Sequence, residues 1–169
     1  IGTLNTVIFC PEDLQLIKGT PSGRRRFLDM EISQTSATYY HQLMQYNRLL
    51  QQRNAVLKEY RGKNTIPLEE WDLQLADMAS FIVKKRLESL KKINLLIDLM
   101  NRKLTGGLEN LTIGYEQPYM DNGSLEYTKE GFYERIKAAL PQDRHRLSTS
   151  VGPHRDDLRF FSDAMDLKK

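Results

Sequence analysis

The spacing of apolar and polar residues changes several times along this chain, and each change marks an element. Thr6-Val7-Ile8-Phe9-Cys10 is a short, β-rich apolar run that predicts a buried strand over about 5–10. Pro11-Glu12-Asp13 then opens a helix, since proline fits a first turn and carboxylates there complement the helix dipole; Lys18-Gly19 closes it. A second helix starts at Thr20-Pro21-Ser22 and runs to about Gln34. Thr35 or Ser36 can cap the next one. From there Tyr39, Leu43, Tyr46, Leu50, Leu57 and Tyr60 recur at heptad spacing, with Arg53 in the seam position that the stripe skips. Arg61-Gly62-Lys63-Asn64 breaks the pattern.

A second long stripe begins near Pro67-Leu68-Glu69-Glu70-Trp71. It continues through Leu75, Met78, Ile82, Leu90, Ile93, Ile97, Met100 and Leu104, and Gly106-Gly107 ends it. Arg86 falls where this stripe stutters. Two heptad helices joined by a short polar turn predict an antiparallel hairpin over about 36–105, with a longer arm of roughly 50 Å. After Gly107 the period becomes two: Leu111, Ile113 and Tyr115 predict a strand over about 111–117. Lys129 to Leu140 reads as a helix with Phe132, Ile136 and Leu140 on one face, and Pro141 stops it. Leu158-Arg159-Phe160-Phe161 predicts a last strand over about 157–162. The fold class is mostly α (α+β): a long antiparallel helical hairpin, shorter helices and a few flanking β-strands.

The composition leaves that picture intact. The chain has 169 residues, enough for a core without disulfide or metal staples. Hydrophobic residues make up 40% and charged residues 28%, with 25 Lys and Arg against 22 Asp and Glu, so the net charge of +3 predicts no particular partner. The lone Cys10 excludes an internal disulfide framework, and no apolar run is long enough to span a membrane. A cytosolic protein is the simplest reading. The chain opens on Ile1-Gly2-Thr3 and closes directly after an apolar alternating run, which reads as a piece of a longer protein.

Charge clustering adds candidate chemistry. Lys18, Arg24, Arg25 and Arg26 crowd one helix start, where guanidinium forks and helix amides favour anions. The competing reading is ion pairing, with Arg25 and Asp29 as i,i+4 partners. Between Lys84 and Lys103 the second long helix carries Lys84, Lys85, Arg86, Lys91, Lys92, Arg102 and Lys103 against Glu88 and Asp98. That face suits nucleic-acid backbone contact or is an ordinary solvated face. Gly152-Pro153-His154-Arg155-Asp156-Asp157 is the most unusual string. Its His and carboxylates could bind a divalent metal in a small phosphoesterase, but a structural or domain-positioning role comes first, because Gly-Pro makes a rigid turn that Asp-Asp can brace. No G-x-x-x-x-G-K-S/T, G-x-S-x-G or H-E-x-x-H string is present, so an enzyme reading of this chain alone starts weak.

The order of several strings carries a resemblance. Val7-Ile8-Phe9-Cys10-Pro11-Glu12-Asp13-Leu14, then Lys18-Gly19-Thr20-Pro21-Ser22-Gly23-Arg24-Arg25-Arg26-Phe27-Leu28-Asp29, then Tyr39-Tyr40, Tyr46-Asn47-Arg48-Leu49-Leu50 with Arg53-Asn54, and Thr149 to Asp157 closely resemble the RecF family of bacterial recombination-repair proteins. Leu147 departs from the family's small residue or glycine at that place. The resemblance runs the whole chain and implies the second, helical lid lobe (lobe II) of an SMC-like ABC ATPase head, spanning 1–169. It implies that the P-loop lies before Ile1 and that the ABC signature and Walker B carboxylate lie beyond Lys169. This piece would then hold no cofactor and no metal and would not hydrolyse ATP, while the parent family uses ATP and Mg as a weak ATPase. It further implies DNA, RecR and a second copy in an ATP-dependent dimer as partners, and loading of RecA at gapped DNA with RecO and RecR. On that reading Lys18, Arg24, Arg25, Arg26, Lys84, Lys85, Arg86, Lys91 and Lys92 are the DNA- or partner-binding candidates. Gly152, Pro153, His154, Arg155, Asp156 and Asp157 are the interdomain positioning residues. The alternative is a non-enzymatic coiled-coil interaction module with no direct DNA contact.

Overall fold

The computed structural model describes residues 14–63, 65–119, 127–163 and 165–168. The strand expected over about 5–10 lies outside them. A short helix, α1 (Gln15–Lys18), ends at Gly19, whose N–H bonds to the Gln15 carbonyl at 2.8 Å. Helix α2 (Pro21–Thr35) begins as its sequence demands: Pro21 occupies the first turn, and the Thr20 hydroxyl accepts from the Gly23 N–H at 3.3 Å. Helix α3 (Ala37–Glu59) is capped by Ser36, whose hydroxyl accepts from the Tyr39 N–H at 3.2 Å. Helix α4 (Glu69–Thr105) has 37 residues. Glu69, Glu70 and Asp72 sit in its first turn, Arg102 and Lys103 in its last, and Gly106 at φ 67° closes it in the left-handed region.

Helices α3 and α4 form the expected antiparallel hairpin. Arg53 meets Asp72 and Tyr39 meets Arg86, so the two contacts run in opposite directions along the helices at equal spacing. The hairpin is shorter than the apolar stripe implied. In this register α3 begins opposite the middle of α4, and among the described residues the last turns of α4 have no helix beside them. Met100 is therefore 51% exposed and Leu104 85% exposed, where the stripe placed both in the seam. What α4 meets there is a small antiparallel sheet of order β1-β2-β3: β1 (Leu111–Glu116), β2 (Asp157–Ser162) and β3 (Met165–Asp166). Leu111 pairs with Ser162, and Glu116 with Asp157. Asn94 of α4 clamps β1 by donating to the Ile113 carbonyl at 2.9 Å and accepting from its N–H at 2.8 Å.

The expected helix over 129–140 is present and is followed directly by another that the sequence pattern does not place. Helix α5 (Lys129–Ala138) starts at a Thr128 cap, and α6 (Leu140–Arg146) follows after Ala139. Pro141 does not stop a helix here; it sits in the first turn of α6, where its missing N–H costs nothing. Leu147 ends α6 with φ 53° and ψ 33°, a left-handed conformation that a glycine would adopt freely. Leu28 and Ile32 from α2, Tyr39 and Tyr46 from α3, Leu75, Ile82 and Leu90 from α4, Phe132 and Ile136 from α5, and Leu158 and Phe160 from β2 share one core. Each fully buried large side chain there contributes roughly 1.5–3 kcal/mol. Among the described residues no helix is long and apolar enough to cross a membrane.

Candidate functional site

Three arginines lie in the interior, one on each of α2, α3 and α4. An interior guanidinium must be both charge-paired and hydrogen-bonded, or desolvation makes it untenable. Each of the three finds carboxylates on a different element. Arg24 grips Asp157 with both Nε and Nη2 at 2.7 Å, and its Nη1 donates to the Gly19 carbonyl at 2.8 Å. Arg53 donates to Asp72 on α4 and Asp143 on α6, both at 2.6 Å, and to the Thr149 hydroxyl at 2.9 Å. Arg86 binds Asp29 of α2 with both Nε and Nη2 at 2.9 Å. Its Nη1 reaches the Pro153 carbonyl at 2.7 Å and the Tyr115 hydroxyl at 3.2 Å.

These bonds converge on one loop, 149–157. Asn54 accepts from both the N–H and the hydroxyl of Thr149, each at 2.8 Å, and Asp143 accepts from the Ser150 N–H at 2.8 Å. Gly152, at φ 131°, lets the backbone turn beneath Tyr46; a Cβ there would collide with the Tyr46 hydroxyl. The His154 ring is held at both nitrogens. Its Nε2–H donates to the Thr149 carbonyl at 3.0 Å, so Nδ1 is the acceptor for the Tyr46 hydroxyl at 2.6 Å. Burial lowers the His154 pKa to about 4, which keeps that neutral tautomer. Burial raises the neighbouring Asp156 carboxyl to about 6, although Arg86 and Tyr115 both favour its charged form. Tyr115 donates to Asp156, the Asp156 carbonyl accepts from Arg25 at 2.6 Å, and Arg155 braces the turn through two bonds to the Thr149 carbonyl.

The positions of the sequence-predicted residues follow from this network. Arg24 and Arg86 are not surface cations: both are buried and spent on carboxylates, which removes them as DNA contacts. The i,i+4 pair of Arg25 with Asp29 does not form, because Asp29 is taken by Arg86 and by the Tyr39 hydroxyl, which donates to it at 2.5 Å. Arg25 is half-buried and turned to the loop. Lys18, Arg26, Lys84, Lys91 and Lys92 are exposed, and Lys85 pairs with Glu88 at 2.8 Å. Arg25 and Arg26 line a cleft of about 770 Å³ between α2 and α3, over Met30, Met44 and His154. Gly152, Pro153, Asp156 and Asp157 are buried, His154 is half-buried and Arg155 is exposed. Sequence reasoning missed Asp72 and Asp143 as anions of the network and paired Asp29 with Arg25 instead of Arg86. The available signal was a charged residue in each heptad seam, which demands a buried partner.

The same bonds test what else the loop could hold. Both oxygens of Asp157 serve Arg24 and both nitrogens of His154 are bonded, so the metal-dependent phosphoesterase reading loses two of its three ligands. Among the described residues no group of three or more His, Cys, Asp or Glu is disposed to hold a metal ion.

The chain matches no family model. It is 43% identical over 170 residues to the DNA replication and repair protein RecF of Alkaliphilus oremlandii (strain OhILAs), covering 99% of this chain and 46% of that protein. Two solved structures share its fold. The recombination mediator protein RecF-ATPrS in the RecFOR pathway superposes with a TM-score of 0.87 at 33% identity, and RecF-ATP in the same pathway with 0.85 at 34%. Each covers 99% of this chain and 46% of the solved one. The chain spans about half the length of the relatives it matches, and across that span its sequence, its long-helix-and-small-sheet architecture and its TM-scores agree: it belongs to the RecF family.

Proposed function

We propose that this chain is the helical lid lobe of a RecF-like, ATP-dependent DNA-binding repair protein. In that role it acts with RecO and RecR in loading RecA at gapped DNA. The observation that carries the reading is the 149–157 loop. It ties the start of β2 to α2, α3, α4, α6 and β1 through buried ion pairs and hydrogen bonds. A lobe that reports the nucleotide state of another domain must move as one body, and a loop pinned to five elements supplies that rigidity. ATP and magnesium belong to the whole protein, in an ATP-dependent dimer; this chain contributes contact and geometry, not hydrolysis. Exposed Arg26 at the α2–α3 cleft and exposed Lys18 at the end of α1 are available for DNA or partner contact.

A partner-docking reading is favoured at one place. Beyond the hairpin, Leu95, Leu96, Leu99, Met100 and Leu104 are exposed on α4 among Lys91, Lys92 and Lys103, a mixed face that suits a protein such as RecR better than a bare phosphate backbone. The test is duplex binding by the full-length protein with and without ATP. Binding that strengthens with ATP is the expected result. ATP-independent binding, or none, sinks the reading.

A further inference from the structure

We infer that the α2–α3 cleft is a docking site for an acidic, amphipathic segment of a partner protein. The inference rests on the reading that Arg26 meets DNA or a partner, and it chooses the partner. Two helix faces build the cleft. Arg26, Met30 and Gln34 recur at steps of four along α2, and Tyr40, Met44 and Asn47 at steps of four and three along α3. On α3 these three lie beside the stripe that carries Tyr39 and Tyr46, so the core buries the stripe and leaves them exposed. Met30 is 51% exposed, Met44 53% and Tyr40 48%, yet all three line the same cavity of about 770 Å³. A concave apolar surface left open to water is a mark of a binding groove. Methionine suits such a groove, because its unbranched thioether repacks around an incoming side chain.

Charge sets the occupant. Among the described residues Arg26 makes no ion pair, and Arg25 gives one N–H to the Asp156 carbonyl but pairs with no carboxylate. The described carboxylate in the cleft is Asp29, and both its oxygens already serve Arg86. Burial, with Arg86 nearby, holds the Arg25 guanidinium below its ordinary pKa, and an incoming carboxylate offsets that cost. The floor is preformed: Arg86 fixes the Pro153 carbonyl at 2.7 Å, and the His154 ring is bonded at both nitrogens. A bare phosphate backbone would meet the two arginines and leave Met30, Met44 and Tyr40 wet. A segment with Asp or Glu beside Leu, Ile or Phe covers both, with its acid at the arginines and its apolar side chain between the methionines. The exposed amides of Gln34 and Asn47 have no bond among the described residues and can take the segment's backbone.

The test pans phage-displayed random peptides against the full-length protein, then measures the enriched peptides by anisotropy over a range of salt. The expected selection places Asp or Glu beside Leu, Ile or Phe. Arg26→Gln weakens these peptides about tenfold and flattens their salt dependence, whereas Met30→Ser with Met44→Ser weakens them at least as much and leaves the salt dependence unchanged. All three side chains are exposed, so the variants keep the fold, which circular dichroism checks. If no acidic, apolar sequence is enriched, or if the enriched peptides bind both variants like wild type, the inference is overturned. Parallel titrations with a labelled duplex separate it from the DNA-binding reading. Duplex binding lost in both variants, with duplex displacing the peptides, assigns the cleft to nucleic acid and overturns the inference. No duplex binding by wild type, with the peptide results as expected, fails the DNA-binding reading alone. A methionine variant that no longer self-associates with ATP assigns the cleft to a second copy, and that also overturns the inference.

Discussion

At the scale of single residues, the 149–157 loop holds two titratable groups that burial pushes in opposite directions. Asp156 rises from 3.8 to about 6, and His154 falls from 6.5 to about 4. Between about pH 4 and 6 folded Asp156 keeps a proton that the unfolded chain has shed, so its share of stability falls as pH rises. Over about pH 4 to 6.5 the unfolded chain protonates His154 while the folded protein does not, so that share rises with pH. The two slopes oppose each other in wild type. Asp156→Asn leaves the histidine slope alone, so its stability climbs more steeply from pH 4.5 to 6.5 in urea melts. His154→Gln leaves the aspartate slope and gives a shallower or falling profile. Identical pH dependence in all three proteins contradicts this assignment. Gly152→Ala adds both a collision with Tyr46 and a positive-φ penalty, and should cost about 2–4 kcal/mol in the same melts. A loss under about 0.5 kcal/mol means the turn is not as tight as described.

At the scale of elements, caps and hydrophobic periods are enough to name most of the helices from the sequence. Thr20, Ser36 and Gly106 all act as their residue types predict. Arg53 and Arg86 stand out in the sequence as interruptions of apolar stripes, but their partners do not. Arg24 and Asp157 lie 133 residues apart, and no local rule reaches that far. Pro141 reads as a helix stop because a stop and a first-turn proline look alike unless Ala139 is known to turn the chain. The stripe overstates the hairpin at the end of α4 because period alone cannot say where a partner helix begins. That difference is measurable. Leu90→Ala should cost about 2–4 kcal/mol, since Leu90 is only 4% exposed, whereas Leu104→Ala should stay within about 0.5 kcal/mol. Equal losses at the two sites mean α4 is covered along its whole length.

At the scale of the whole molecule, buried ion pairs are a poor device for stability alone, since well-packed apolar residues often serve as well or better. What the pairs made by three buried arginines do here is fix α2, α3, α4, α6 and β2 in one register. Arg24 contributes the longest reach, joining the start of α2 to the strand that follows the loop. The central claim is that this register transmits a nucleotide signal to DNA contact in the whole protein. Arg24→Lys keeps the charge but removes the two-pronged grip on Asp157. The decisive measurement is the ratio of DNA affinities with and without ATP for full-length wild type and Arg24→Lys, each confirmed folded by circular dichroism. The account predicts that the variant binds DNA like wild type without ATP and loses most of the ATP-dependent gain. A folded variant with the full wild-type gain contradicts it.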